Sequence, residues 1–313
     1  MSNAFSENAY LLAPLKGEKP PQSAWFAGEL AKEPERSTFI SEGSHIELLT
    51  WGDVGAPGIL LLHGMGAHAD WWRFIAPALA HGHRVAAISW PGMGGSAWRE
   101  SYTLPQLARD VMNTVEIAGL GKGPRRAILI GHSFGGLPLL QAICDFPDRI
   151  AGGIMIDSFI PQTPRPSEWA AGRDAMPVYP TIEAALARYR FAPVQSAAHL
   201  DIVDFIARES LQPVEGGWTW RFDPNLWAKL DRTNANALLN EATRPIALLF
   251  GERSALVMAE MVEEMRVQLA ICPIVAAIPD AAHHVMVDQP IGLISALRVA
   301  VAALWAIKEA EQA

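Results

Sequence analysis

Cysteine is nearly missing: Cys144 and Cys272 are the two in 313 residues. That is too few for a disulfide-stapled scaffold or a four-cysteine zinc site, and such low usage fits a reducing compartment. Charge is sparse at 19% of residues, and the 25 basic side chains are outnumbered by 33 acidic ones, for a formal charge of −8. Such a chain offers no basic surface to neutralise a phosphate backbone, so nucleic acid is excluded as a partner class. The opening MSNAFSENAYLLAPLKGEKPP lacks the basic and apolar regions of a secretory signal, and a cytoplasmic location is expected. Long apolar runs are also missing, with one exception, Ile291 to Ile307. It follows a proline, contains Arg298 and falls short of the roughly 20 residues that cross a bilayer, so a terminal helix packed on a core is expected and no membrane partner. No His-x-x-x-His, carboxylate cluster or Cys-His spacing suggests a metal, and no cofactor is expected.

What is present is a half-hydrophobic chain long enough for one large domain or two small ones. Apolar runs of strand length recur at 45–51, 58–63, 84–90, 126–132 and 152–157, nearly continuous in hydrophobicity, as strands buried on both faces are. Helix-like segments separate them, at Trp71 to Ala80, Leu104 to Ala118 and Phe134 to Asp145. Alternating strand and helix predicts an α/β fold with a doubly wound, mostly parallel sheet. After Asp157 the alternation breaks into a region containing proline and tryptophan, with no clear strand, and it resumes at 245–251 and 273–279 before a final helix. The expected organisation is an N-terminal surface arm over 1–36, a core over 37–157 and 244–313, and an inserted helical cap over 158–243.

The sharpest motif is Gly131-His132-Ser133-Phe134-Gly135, directly after a strand and directly before a helix. A turn that tight needs small flanking residues, strains its central residue and projects a hydroxyl above the sheet at a helix N-terminus, where developing negative charge is stabilised. Ser133 is the candidate nucleophile. The Gly-rich Trp90-Pro91-Gly92-Met93-Gly94-Gly95-Ser96 lacks both the third glycine of a dinucleotide site and the Lys-Ser/Thr of a phosphate loop.

With these motifs the chain resembles the α/β-hydrolase superfamily from about Ser37 to its C-terminus, in the serine-nucleophile, cap-bearing branch. His63-Gly64-Met65-Gly66 follows the strand GILLL as that family's oxyanion loop does, with Trp72 at the aromatic position that commonly follows. The resemblance implies that the main-chain N–H groups of Met65 and Phe134 bind the oxyanion, and that His63 orients the loop. It also implies a catalytic histidine five positions before an acidic residue that precedes a Gln-Pro pair. Counting back from Asp288 gives His283, with His284 as its neighbour. An imidazole there takes the serine proton and returns it to the leaving group.

The acid departs from the family pattern. The usual Gly-x-x-Asp after the seventh core strand reads Gly251-Glu252-Arg253-Ser254, with serine in the aspartate's slot. Some members draw the acid from the end of the sixth strand, where this chain has Asp157. Asp157 is therefore the first candidate, Glu252 the alternative, and Asp280 a turn residue. Trp90 stands where relatives carry aspartate after the fourth strand. Four tryptophans, Trp169, Trp218, Trp220 and Trp227, fall in the expected cap, where large rings either bury the cap on the core or line an apolar pocket. The candidate pocket residues are His63, Trp72, Trp90 and Trp218.

The resemblance implies hydrolysis of a carboxylic ester or lactone of a small apolar or aromatic substrate through an acyl-enzyme. Carbon–carbon bond hydrolysis of a diketone is the alternative within the serine branch. A non-catalytic small-molecule receptor on the same fold is the alternative from another class. Dehalogenase and epoxide-hydrolase relatives use an aspartate nucleophile, which Ser133 argues against.

Overall fold

The computed structural model describes residues 10–160, 175–232 and 235–312, with side chains through Ile307. Eight strands form the central sheet: β1 (Glu35–Ser41), β2 (Ser44–Trp51), β3 (Gly58–Leu62), β4 (Arg84–Ile88), β5 (Ala127–His132), β6 (Ile150–Ile156), β7 (Ile246–Gly251) and β8 (Val275–Ile278). Their order is β1-β2-β4-β3-β5-β6-β7-β8. β1 and β2 run antiparallel, β2 joins β4 antiparallel, and the six strands from β4 to β8 are parallel. The expected doubly wound, mostly parallel sheet is present.

Continuous hydrophobicity has its structural counterpart in β3 to β6, in which every residue is buried. Because side chains alternate across a strand, Ile59 and Leu61 feed one core layer while Leu60 and Leu62 feed the other. The second layer is closed by α2 (Leu104–Ile117) and α3 (Gly136–Asp145), through Leu107, Val111, Leu139 and Ile143. The first is closed by the terminal helix Pro290–Gln312, through Leu293, Leu297, Val301 and Leu304. That helix is long and apolar enough to cross a membrane, but one side packs on the sheet while Ile291 and Val299 face outward. β1 escaped the sequence reading because only Phe39 and Ser41 of its seven residues are buried, as suits an edge strand.

The segment expected to be a surface arm is anchored at two buried residues, Leu12 and Phe26. Ser23 caps α1 (Ala24–Leu30) by accepting from the Phe26 N–H, and its own N–H donates to Asp201 Oδ2 at 2.9 Å. Phe26 is fully buried, edge-on to Phe74 of the core at 5.5 Å and to Phe205 at 5.8 Å. Phe205 lies on α4 (Leu200–Glu209), in the insertion between β6 and β7. A seven-residue helix after a polar, proline-bearing lead carries too little periodicity to be read from sequence.

The insertion carries the short helices Ile182–Leu186, Leu226–Lys229 and Leu238–Glu241 beside α4. It also carries strands, which the sequence reading did not find. Leu211–Val214 and Gly217–Trp220 form an antiparallel hairpin, and Leu230–Asp231 pairs with Tyr102–Thr103 of the core. Pro213 within the first of these strands hid it, since proline is confined to sheet edges. Gly217 sits at a φ of 144°, and a Cβ there would lie 1.9 Å from the Tyr179 carbonyl oxygen. Trp169 lies outside the described residues.

Phe26→Ala is expected to lower the unfolding free energy by about 3–5 kcal/mol, the range for a buried phenylalanine, whereas Lys32→Ala at the exposed end of the same segment changes it by less than about 0.5 kcal/mol. Urea unfolding of both variants checks this. Equal, small effects would mean that the segment before β1 is not part of the cooperative fold.

Candidate active site

The turn after β5 is built on close backbone approach. A Cβ on Gly131 would lie 2.6 Å from the Gly135 carbonyl oxygen, and one on Gly135 would lie 2.5 Å from that of Leu62. Glycine at both positions lets the chain reverse from strand into helix within three residues, and Ser133 between them takes a left-handed φ of 51°. The Ser133 carbonyl accepts from Ser158 Oγ at 2.7 Å. Gly136 makes room for that bond, because a Cβ there would lie 2.1 Å from the same hydroxyl. Neither Ser158 nor Gly136 was found from sequence, since their roles exist only once β6 lies beside β5.

His283 follows β8 in a buried loop, and its Nδ1–H donates to Asp157 Oδ2 at 2.6 Å. Asp157 sits one residue past β6, 1% exposed and in the left-handed region at a φ of 44°. Its Oδ1 accepts from the Gly251 N–H at 2.8 Å, and its Oδ2 also accepts from Ser254 Oγ at 2.6 Å. The serine in the usual aspartate slot therefore holds the carboxylate that meets the histidine. Glu252 does not meet it: exposed, it accepts from the Asp280 N–H at 3.0 Å. Asp280 occupies a turn at a φ of 58° and pairs with Arg253.

The histidine loop is pinned from the insertion. Gln195 accepts from the His284 N–H at 2.9 Å and donates to Asp288 Oδ2 at 3.1 Å, and that same oxygen accepts from the Ala282 N–H at 2.8 Å. Burial raises the Asp288 carboxyl above the usual aspartate range. Gln195 carries no motif, so sequence reasoning had no signal by which to find it.

The backbone of the His63–Gly66 loop lies against Ser133: a Cβ on Gly64 would fall 3.2 Å from Ser133 Cβ and 3.0 Å from His132 Nδ1. Met65 is half-buried beside it, and Phe134 lies in the first turn after the strand, where N–H groups have no intrahelical partner. Three of the four candidate pocket residues have another place. His63, Trp72 and Trp90 are 1%, 0% and 0% exposed, so none presents surface to a water-sized cavity. His63 Nδ1–H donates to the Gly64 carbonyl at 2.7 Å, its Nε2 accepts from the Trp90 N–H at 2.9 Å, and Trp90 Nε1–H donates to the His63 carbonyl at 2.9 Å. These two residues lock the loop after β3 to the loop after β4. Trp218, half-buried, pairs its backbone with Tyr179.

Three of the buried histidines, His63, His132 and His284, are held neutral. Burial pushes His63 and His132 down to about 3, and His284 well below the ordinary range. For His63 the hydrogen bonds give the same answer: a protonated ring would turn Nε2 into a donor facing the Trp90 N–H. His132 Nε2–H donates to the His283 carbonyl at 2.9 Å, and the two rings are 4.9 Å apart.

The sequence pattern that defines the alpha/beta hydrolase family matches residues 59–297. An esterase of Mycobacterium tuberculosis is 27% identical over 275 residues, covering 81% of this chain and 85% of that protein. Its crystal structure superposes with a TM-score of 0.69 at 23% identity, covering 96% of this chain and 99% of that one. A pimeloyl-[acyl-carrier protein] methyl ester esterase of Edwardsiella ictaluri is 35% identical over a shorter stretch of 112 residues, 35% of this chain and 40% of that protein.

A pH dependence of stability follows from the neutral rings. His63 and His132 titrate near 3 in the fold and near 6.5 when unfolded, so below about 6.5 the unfolded chain binds more protons and the fold loses stability as pH falls. Each ring is expected to remove roughly 2 kcal/mol by about pH 5. Urea unfolding near pH 7 and near pH 5 measures the loss; equal stability at both would mean that the rings are charged in the native state.

Proposed function

The chain belongs to the alpha/beta hydrolase family, and on that premise we propose that it is a serine hydrolase cleaving a carboxylic ester or lactone of a small apolar or aromatic substrate through an acyl-enzyme. The observation that carries the reading is the 2.6 Å bond from His283 Nδ1–H to Asp157, a carboxylate that also accepts from Gly251 and Ser254. A receptor with a decayed site has no use for an aspartate buried on a histidine. The ester hydrolases among its relatives support the bond type.

In this mechanism Ser133 Oγ attacks the substrate carbonyl carbon while His283 Nε2 takes its proton. Asp157 keeps the Nδ1–H tautomer, which leaves the Nε2 lone pair free, and stabilises the imidazolium that forms. Negative charge develops on the carbonyl oxygen, toward the main-chain N–H groups of Met65 and Phe134. Each such donor contributes roughly 10²–10³ in rate. Collapse expels the alcohol, protonated by His283, and leaves the acyl group on Ser133. Water activated by the same nitrogen then releases the acid. The donors on Asp157 hold its oxygens in place through both steps, so the ring does not have to reorient between them.

Intact-protein mass after incubation with a fluorophosphonate tests the nucleophile. One adduct is expected on the native protein and none on Ser133→Ala or His283→Ala; an adduct that survives in Ser133→Ala would overturn the assignment. For the acid, Asp157→Asn is expected to lower turnover of an activated ester by a factor approaching roughly 10⁴, as neutralising a triad acid does, and Glu252→Gln by less than about threefold. The opposite ranking would transfer the role to Glu252.

A further inference from the structure

Three histidines meet at the site, and the hydrolytic mechanism uses one of them. One nitrogen each from His132, His283 and His284 lies within 4.8 Å of the others, and all three side chains are buried. Ring centroids are 4.8 Å apart for His283 and His284, and 5.7 Å apart for His132 and His284. His132 is 151 positions from His283, so the cluster is invisible to motif spacing.

The hydrogen bonds occupy one nitrogen on two of the three rings and leave the other nitrogen unused. Asp157 holds His283 at Nδ1, which leaves Nε2. The His283 carbonyl holds His132 at Nε2, which leaves Nδ1. His284 is the unexplained member: it is 6% exposed, and neither of its ring nitrogens makes a hydrogen bond of good geometry. The ring stands between Trp71 at 5.3 Å and Phe191 at 4.8 Å, with the Ala192 backbone as a polar neighbour. A buried imidazole with no hydrogen bond of good geometry costs stability unless it binds something.

We propose that His132, His283 and His284 bind one divalent transition-metal ion of the zinc class, and that its binding switches the hydrolase off. The inference rests on the serine-hydrolase reading above only for its second half. Three imidazoles with no thiolate are a ligand set for Zn²⁺, Cu²⁺, Ni²⁺ or Co²⁺ and a poor one for Mg²⁺ or Ca²⁺. Asp157 on the far nitrogen of His283 is the carboxylate that orients metal-bound histidines and makes them more basic. Metal–nitrogen bonds of about 2.0–2.1 Å bring tetrahedral ligands to roughly 3.4 Å from each other, so side-chain rotations on the order of 1 Å close the site. The metal takes the His283 Nε2 lone pair that otherwise accepts the Ser133 proton, so ion and catalysis exclude each other.

Co²⁺ is the probe, because three-histidine ligation gives it visible ligand-field absorption. The full-length protein is expected to take up one equivalent with those bands, to lose fluorophosphonate labelling in step with occupancy, and to regain it with EDTA. His284→Phe keeps a ring between Trp71 and Phe191 and deletes its nitrogens. It should label normally without metal, lose the bands, and need at least about tenfold more Co²⁺ for half-protection; His284→Leu serves if the phenylalanine variant does not fold. Absence of the bands from the native protein, or equal protection of native and variant proteins, overturns the proposal. Bands that vanish in the variant while no form of the protein ever labels support the metal site and count against the serine-hydrolase reading instead.

Discussion

The carboxylate of Asp157 is the point on which three parts of the chain converge. It leaves β6 in a left-handed conformation and accepts from the Gly251 N–H at the end of β7, from Ser254 just beyond it, and from His283 in the loop after β8. A buried carboxylate with no donors is expensive, whereas one with three donors, one of them a potential cation, is stable and stiff. The loop that carries the histidine is thereby tied to the sheet at its centre. Gln195 and Asp288 fix the flanks of that loop, so the ring has little freedom of its own. Orientation that precise is what general base chemistry requires, because misplacing a catalytic group by about 1 Å can cost as much as 10²-fold.

The same economy explains the loops on the other side of Ser133. His63 and Trp90 carry polar atoms into complete burial, and each satisfies the other: ring nitrogen to backbone N–H, indole N–H to backbone carbonyl. The cross-link holds the Gly64–Met65 backbone against the serine turn without using either side chain as a ligand surface. Aromatic residues near a site are easily read as pocket walls from sequence. Here burial and hydrogen bonding give two of them the work of positioning backbone.

The sheet was legible because its strands are buried on both faces, so that their hydrophobicity runs unbroken, and because Ser133 lies in a turn whose glycines backbone contact demands. What was not legible depends on neighbours distant in sequence. β1 is an edge strand with two buried residues. The hairpin of the insertion hides behind Pro213, and Phe26 gains its meaning only from Phe74 and Phe205. Gln195, Ser158 and His284 are ordinary residue types in ordinary spacing. Their partners lie 93, 25 and 89 positions away, beyond any local pattern.

On the serine-hydrolase reading proposed above, a missing motif residue need not be a missing function. β6 and β7 are parallel neighbours in register, Ile156 beside Leu249, and the Asp157 N–H donates to the Leu249 carbonyl at 2.8 Å. The ends of the two strands therefore open onto the same space, and a carboxylate rising from either one can meet a histidine arriving after β8. Moving the acid from one strand end to its neighbour empties one sequence slot but leaves the electrostatic arrangement in place. The emptied slot is then free to take a hydroxyl. Ser254 supplies it, adding a donor to the oxygen that already accepts from His283, where an aspartate retained at that position would have set two like charges against each other. Serine at that slot and aspartate at the end of β6 therefore work together, since Ser254 donates to the oxygen that also meets His283.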